Sequence, residues 1–433
     1  MVISMKILMR ASQSPFDNIG PLDTIAGDKL WNNIGNLLFP FSLFRNILSE
    51  DVTIDIYSVL DPADADFISE NYDMLLIPLA NAFRSSFIKR LRKWTELIKK
   101  VTIPCVVAGV GIQSDLSFSP QTEFDFDDTV REFCSAVASK SSFIGVRGEL
   151  TYSYLKRLGF GSVTRIIGCP SMFMFGPELP APKPKTHAPK LKISVNMKSE
   201  DSDDAKKYLL SDDNDYIFIP SKNSDLALIY CGMPIPAASE CGIYPLTIDN
   251  KVFTSGRAKF CINVPSWLKL LQSVDLSIGT LIHGNMAAVL AGTPVYVIAS
   301  DSRVLELAQY HNIPHITEDK FNFSKSVRDI YEETDFSTVT KGHKERYENF
   351  IDFLKVNGLD PVEDPNRYFD DKLNSIDFYK PLDNILKVSE TEAAQRLNGY
   401  LSHLQGKIKE QKQTIKKLKK KTVSQQAPEN ERK

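Results

Sequence analysis

Between Val274 and Pro314 the chain reads VDLSIGTLIHGNMAAVLAGTPVYVIASDSRVLELAQYHNIP, and this spacing leaves few folds open. Val274 to Ile278 is a short apolar, β-branched run that stops at Gly279-Thr280, as a buried strand does. Met286, Ala287, Val289 and Leu290 then follow a helical pattern, closed by Gly292 and Pro294. A second strand over Val295 to Ala299 delivers Ser300-Asp301-Ser302-Arg303 to the start of another helix. Strand, helix and strand in this order predict a parallel sheet. Polar residues follow each strand, at the edge where such sheets bind ligands.

The rest of the chain bounds the context. At 433 residues it exceeds one ordinary core, so two domains with extensions are expected. A formal net charge of −2 argues against nucleic acid as a partner of the whole protein, so any basic surface must be local. The six cysteines (Cys105, Cys134, Cys169, Cys231, Cys241, Cys261) form no C-x-x-C pair and no zinc-like spacing, so no metal site and a reducing compartment are expected. Met1 to Arg10 is apolar but short and interrupted by charge, which reads as a first strand and not as a signal peptide. No apolar run reaches the roughly 20 residues of a spanning helix. A cytoplasmic location is the expectation.

In chain order, Ala11 to Asp28 reads as loop, and strands are expected at Val52–Val59, Asp73–Leu79, Ile103–Ala108 and Phe143–Arg147. Amphipathic helices are expected over Ser85–Lys100, Asp127–Ala138 and Leu150–Leu158. Pro177 to Pro189, PELPAPKPKTHAP, is the clearest linker, with His187 solvated in it. A second alternating series follows at Leu191–Asn196, Tyr216–Ile219 and Leu226–Tyr230. Both halves thus read as βα repeats, and two Rossmann-like domains facing a cleft are the expected α/β architecture. The boundaries are 1–180, a linker at 181–189, 190–330, a helical return at 331–393, a basic helix at 394–422 and a disordered tail at 423–433. In that basic helix Ala394, Leu397, Leu401, Leu404, Ile408, Ile415 and Leu418 keep a 4-3 spacing suited to self-association as a homo-oligomer. Its lysine-rich outer face reads first as a solvated helix, with contact to an anionic membrane surface or partner as the lesser alternative.

Several polar positions have two readings from the residues alone. Arg147, leaving a strand ahead of a helix, fits an anion or a salt bridge to Glu149. Asn33-Ile34-Gly35-Asn36 fits backbone N–H groups near a ligand, or an N-cap and a tight turn. Gly109-Val110-Gly111-Ile112-Gln113 leaves room for a substrate or simply turns. His283 fits an acid/base group or a buried imidazole bonded to backbone. Asp301 and Ser302 fit N-caps, and Glu306 fits a base or a helix-surface contact.

GTLIHGNMAAVLAGTP followed by SDSRVLELAQYHNIP resembles the C-terminal signature of the polysaccharide pyruvyl transferase family. Gly145 to Thr151 (GVRGELT) and Ile167 to Ser171 (IGCPS) fit the same family. Asn33 to Asn36 is similar to its N-terminal Asn-x-Gly-Asp/Asn element. The resemblance spans roughly the first three quarters of the chain. It departs from the family where an Arg commonly stands two residues before the His; here that residue is Leu281. The expected architecture is glycosyltransferase-B-like. The implied activity moves pyruvate from phosphoenolpyruvate onto hydroxyls of a surface polysaccharide or its precursor, free or lipid-linked, forming a ketal without cofactor or metal. In that activity His283 is the acid/base group, with Glu306 or Asp301 activating a hydroxyl. Arg147 and Arg303 grip phosphate and carboxylate beside Ser302, Gly284, Asn285 and Thr280, while Asn33, Asn36 and Gln113 meet the acceptor. A sugar-nucleotide-dependent glycosyltransferase of the same architecture is one alternative, and an inactive scaffold, which Leu281 keeps open, is the other.

Overall fold

The computed structural model describes residues 4–117, 119–184, 190–236 and 243–425, the last nine of these by backbone alone. The first half builds a parallel sheet from β1 (Met5–Arg10), β2 (Val52–Tyr57), β3 (Met74–Pro78) and β4 (Cys105–Ala108), in the order β2-β1-β3-β4. A parallel bridge from Val110 to Val146 extends it to β5 (Ile144–Val146), which pairs with β6 (Thr164–Ile166). The second half builds another parallel sheet from β7 (Lys192–Asn196), β8 (Asp215–Phe218), β10 (Leu276–Gly279), β11 (Val295–Ala299) and β12 (His315–Thr317), in the order β12-β11-β10-β7-β8. The short β9 (Lys259–Phe260) lies beside β8 through Ala258 and pairs antiparallel with β13 (Leu382–Asp383).

Burial follows position in each sheet. Central strands β3, β4 and β10 are buried at every residue, whereas the edge strands β2 and β12 are mostly half-exposed. This is the pattern of parallel sheets covered on both faces, where side chains alternate between two cores. Leu8, Leu75, Ile77 and Val107 enter one core with Trp94, Phe133 and Tyr154. Ile7, Met9, Leu76 and Val106 enter the other, which runs on into the second domain and the return segment. The two domains therefore share one continuous apolar body.

The return segment fastens back onto the first domain. Phe350 stacks on Phe173 at 4.9 Å between ring centroids, and Asn357 Oδ1 accepts from the backbone N–H groups of Ser142 and Phe143. Arg45, buried in the first domain, donates to both oxygens of Asp370. The final helix, Glu390–Gln425, begins four residues before the expected boundary and lies against the helices Pro21–Gly27 and Asn223–Cys231. It docks through Arg396, Gly399 and Tyr400, with the Arg396 guanidinium 4.2 Å over the Tyr230 ring. Leu401, Ile408 and Ile415 of the 4-3 stripe stay about half exposed.

Three expectations are overturned. Ala11–Asp28 is not all loop: Pro21 opens a helix to Gly27, its ring preset for a first helical position. Leu226–Tyr230 is no strand but the heart of the helix Asn223–Cys231, where the Asp225 carboxylate accepts from Lys222 N–H at 2.9 Å. A short all-apolar run has the same periodicity in a buried helix and a buried strand, and the start signal decides it. Val423 to Gln425 continue the last helix instead of forming a tail. Linker residues 185–189, with His187, and tail residues 426–433 lie outside the described residues. Among the described residues no helix is long and apolar enough to cross a membrane.

One glycine is indispensable to the second sheet. Gly279 ends β10 at φ +152°, and a Cβ there would stand 1.8 Å from the carbonyl oxygen of Asn196 at the end of β7. Gly279→Ala is expected to cost about 3 kcal/mol or more, because backbone must move against backbone. Denaturant unfolding of the full chain measures it.

Candidate active site

The site forms where the second sheet reverses its winding, between the carboxyl ends of β7 and β10, and it faces the first domain. Asn196 ties that junction together. Its Oδ1 accepts from Leu281 N–H at 2.9 Å, its backbone oxygen accepts from Thr280 N–H at 3.0 Å, and its Nδ2 donates to Asn285 Oδ1 at 3.0 Å. Asn285 in turn donates to the Gly279 carbonyl at 3.0 Å. Gly284 lets the Asn196 side chain approach, since a Cβ would lie 3.0 Å from Asn196 Cγ. The Thr280 hydroxyl donates to Asp201, whose carboxyl is held above its ordinary range by burial. Thr280, Gly284 and Asn285 thus build the turn that starts the helix Ile282–Leu290 and set His283 in its first turn.

His283 is buried against the first domain. A Cβ on Gly35 would fall 2.6 Å from His283 Cβ, and the Phe39 ring meets the imidazole edge-on at 6.1 Å. Its Nε2 has no hydrogen-bond partner among the described residues. Burial, reinforced by the charges of Arg147 and Arg303, holds its pKa well below the ordinary imidazole value, so the ring is neutral.

Arg147 is fully buried. Its Nε donates to the Gly109 carbonyl at 2.9 Å and its guanidinium lies 5.5 Å over the Phe39 ring, yet Nη1 and Nη2 have no partner. Burial first, with the repulsion of Arg303 among the smaller effects, lowers its pKa to about 10, and it remains a cation at neutral pH. Arg303 reaches Asp301 at 3.6 Å, and its Nε is also buried without a partner. Asp301 caps the helix Ser302–Tyr310 through Val304 N–H and accepts from Lys198 Nζ at 2.9 Å. The Glu149 alternative for Arg147 has no counterpart, as no carboxylate is within ion-pair distance of Arg147 among the described residues. Buried donors left open on two cations form a receptor for an anion.

Of the other expected residues, Ser302, Glu306 and Asn33 bridge the two domains, whereas Asn36 and Gln113 bond within the first. Ser302 Oγ donates to the Ser114 carbonyl and accepts from Ser114 N–H. Both oxygens of Glu306 accept from Thr151, from the backbone N–H at 2.7 Å and the hydroxyl at 2.9 Å, so the carboxyl caps the helix Glu149–Arg157 from across the interface. Asn33 caps the short helical turn after it through Gly35 N–H, and donates to Ser221 Oγ. Asn36 donates to the carbonyls of Leu30 and Trp31. Gln113 Oε1 accepts from Asn81 and from Arg84. Asn196, Lys198, Asp201 and Arg84 were not among the expected site residues, Asn196 being expected only as the end of a strand. Asn196 and Lys198 do follow a strand, as His283 does, and that position was their available signal. Among the described residues no three His, Cys, Asp or Glu side chains gather as metal ligands.

Glu306 yields a pH test. Burial raises its carboxyl pKa to about 7, above the unfolded value, so the folded state binds a proton that the unfolded chain has released. Stability is then full below the unfolded pKa and falls as pH rises toward 7, by up to about 3 kcal/mol. Glu306→Gln is expected to flatten that slope between pH 5 and 7 in denaturant unfolding.

No curated protein sequence matches the chain. Among solved structures, a UDP-GlcNAc 2-epimerase from Methanocaldococcus jannaschii aligns over 81% of this chain and 99% of its own at 9% identity, with a TM-score of 0.43. The glycosyltransferase SnogD from Streptomyces nogalater aligns over 86% and 100% at 13% identity, with a TM-score of 0.34. The family model for polysaccharide pyruvyl transferase matches residues 33–302, from the Asn33 turn to the Ser302 strap. The chain belongs to the polysaccharide pyruvyl transferase family and is a transferase.

Proposed function

We propose that the protein moves pyruvate from phosphoenolpyruvate onto two hydroxyls of a saccharide, forming a ketal and releasing phosphate. The observation that carries this reading is the neutral His283 ring, with Nε2 unpartnered, beside two guanidinium groups with unpartnered N–H donors. Phosphoenolpyruvate is a small molecule with a phosphate at one end and a carboxylate at the other, and two cations in one buried cleft are complementary to it. Arg147 and Arg303 hold those two anionic groups, and the open N-terminus of the helix Ile282–Leu290 adds favourable field.

The chemistry then needs one mobile proton at a time. The first hydroxyl adds to C2 of the donor while C3 gains a proton and becomes a methyl. The second hydroxyl adds to C2 as the bond to the phosphate oxygen breaks. Two hydroxyl protons are released in all, one ending on C3 and the other leaving with phosphate. The imidazole is neutral in the empty cleft, and the bound anion offsets the repulsion of the arginines, so the ring takes up a proton as the donor binds. It gives that proton to C3 as the first hydroxyl adds, and then accepts the proton that this hydroxyl releases. Leu281, in place of the usual Arg, caps the same helix and carries no charge. Arg147 and Arg303 supply the positive charge instead. Glu306 can activate a hydroxyl only after leaving Thr151, so we assign His283 both proton transfers and Glu306 the closure of the interface.

Donor binding is expected to take up a proton, so phosphoenolpyruvate should bind more tightly as pH falls from 8 to 6. His283→Ala should remove that dependence and lower turnover by about 100-fold or more. Calorimetric titration and phosphate release on purified protein check both. Consumption of a nucleotide sugar without phosphoenolpyruvate would overturn the reading. The exposed Leu401, Ile408 and Ile415 support self-association with a second copy of the chain. Deleting 394–433 is expected to reduce the sedimenting mass while leaving donor binding unchanged.

A further inference from the structure

A second cluster of positive charge lies in the first domain, at the point where its own sheet reverses winding between β1 and β3. A recess there is lined by Arg10 at the end of β1, Asn81 after β3, Arg84, Arg90 and Trp31. The three guanidinium groups have no carboxylate partner among the described residues. They are held by rings and neutral oxygens instead. Arg10 lies 4.2 Å from the Trp31 ring and 4.5 Å from the Trp94 ring, and donates to the Pro78 carbonyl at 3.1 Å. Arg84 donates to Gln113 at 2.9 Å, and its Nε is buried with no partner. Arg84 and Arg90 both approach the Phe87 ring, at 5.7 and 5.1 Å.

Such a cluster is costly in an empty protein. Burial and the charge of Arg90 press the Arg10 pKa down to about 9, and Arg84 feels both Arg90 and Arg303. Aromatic faces and carbonyls hold a guanidinium in place without neutralising it, so its charge stays available. Trp31 stands at φ +47°, a left-handed backbone that a bulky residue rarely adopts, and it keeps its ring over Arg10 in that strained state. The recess shares a wall with the cleft of His283. Phe39 lines it and is the ring that meets His283 edge-on and lies under Arg147. Donor charge is already matched by Arg147 and Arg303, so this cluster is surplus to a reaction between phosphoenolpyruvate and an uncharged sugar.

We propose that the recess of Arg10, Arg84 and Arg90 is a second anion subsite that takes a phosphate or diphosphate group carried by the acceptor saccharide. The proposal deepens the pyruvyl transfer reading and rests on it for the word acceptor. The acceptor is then a glycosyl phosphate or diphosphate, anchored by its phosphate in the first domain while its sugar hydroxyls reach the donor across Phe39. The group beyond the phosphate is a nucleoside or a lipid.

Calorimetric titration of the full chain with inorganic pyrophosphate, and separately with phosphoenolpyruvate, tests it. Arg84→Gln/Arg90→Gln is expected to weaken pyrophosphate roughly tenfold or more and phosphoenolpyruvate much less. Arg303→Gln should show the opposite preference. Neither Arg84 nor Arg90 is in an ion pair, and the single variant Arg90→Gln, at an exposed residue, gives a reduced effect in the same direction should the double variant unfold. Pyrophosphate binding that is absent, or unchanged in these variants, overturns the subsite. Loss of pyrophosphate binding in the variants, with no phosphoenolpyruvate binding to the natural chain, keeps the subsite and rejects the transfer reading. A nucleoside diphosphate and a short prenyl diphosphate, titrated in parallel, identify the attached group by which one binds more tightly. Rejection of both while pyrophosphate binds overturns the proposal, because an acceptor's phosphate is always esterified.

Discussion

Positive charge withdrawn from water and left without a carboxylate is the constraint around which this molecule is arranged. Arg147 is enclosed completely, with one donor on a carbonyl, its face on Phe39, and two nitrogens that bond to nothing among the described residues. A fold tolerates this only when packing elsewhere outweighs it, and two sheets sharing one continuous apolar body supply that packing. The lowered imidazole pKa of His283 follows from the same enclosure, since burial and the two arginines all oppose its protonation. The neutrality of the imidazole and the open donors of the arginines therefore have one physical origin.

That enclosure requires both domains. Ser302 with Ser114, Glu306 with Thr151, Asn33 with Ser221 and the His311 ring with Cys169 N–H each join residues of opposite domains. Gly35 has no side chain because His283 occupies its space. Beside these hydrogen bonds Gly35 and Phe39 pack against His283, and the return segment adds the stacking of Phe350 on Phe173.

Much of the site was legible because its position in a strand–helix–strand unit is a local property. Asn33, Arg147, His283 and Arg303 each follow a strand or open a helical turn, and four or five neighbouring residues suffice to place them there. What each polar group bonds to was not legible. Glu306 reads as a base or a surface contact until Thr151, 155 residues earlier, is brought to its carboxylate. Ser302 has the composition of an N-cap, but Asp301 caps that helix and Ser302 crosses to Ser114. The run Leu226–Tyr230 failed for a different reason, its uniform apolarity erasing the periodicity that separates helix from strand.

The sequence by itself determined the alternation of strands and helices, the two-sheet architecture and the family, because these depend on short-range periodicity, on glycine and proline, and on a contiguous motif. Only the tertiary structure decided which cations have partners. Arg10, Arg84 and Arg90 look like any surface arginines in the chain, and nothing in their neighbours indicates that no carboxylate comes near. Charge balance in a cleft is a sum over residues from distant segments, and that sum exists only once the chain has folded.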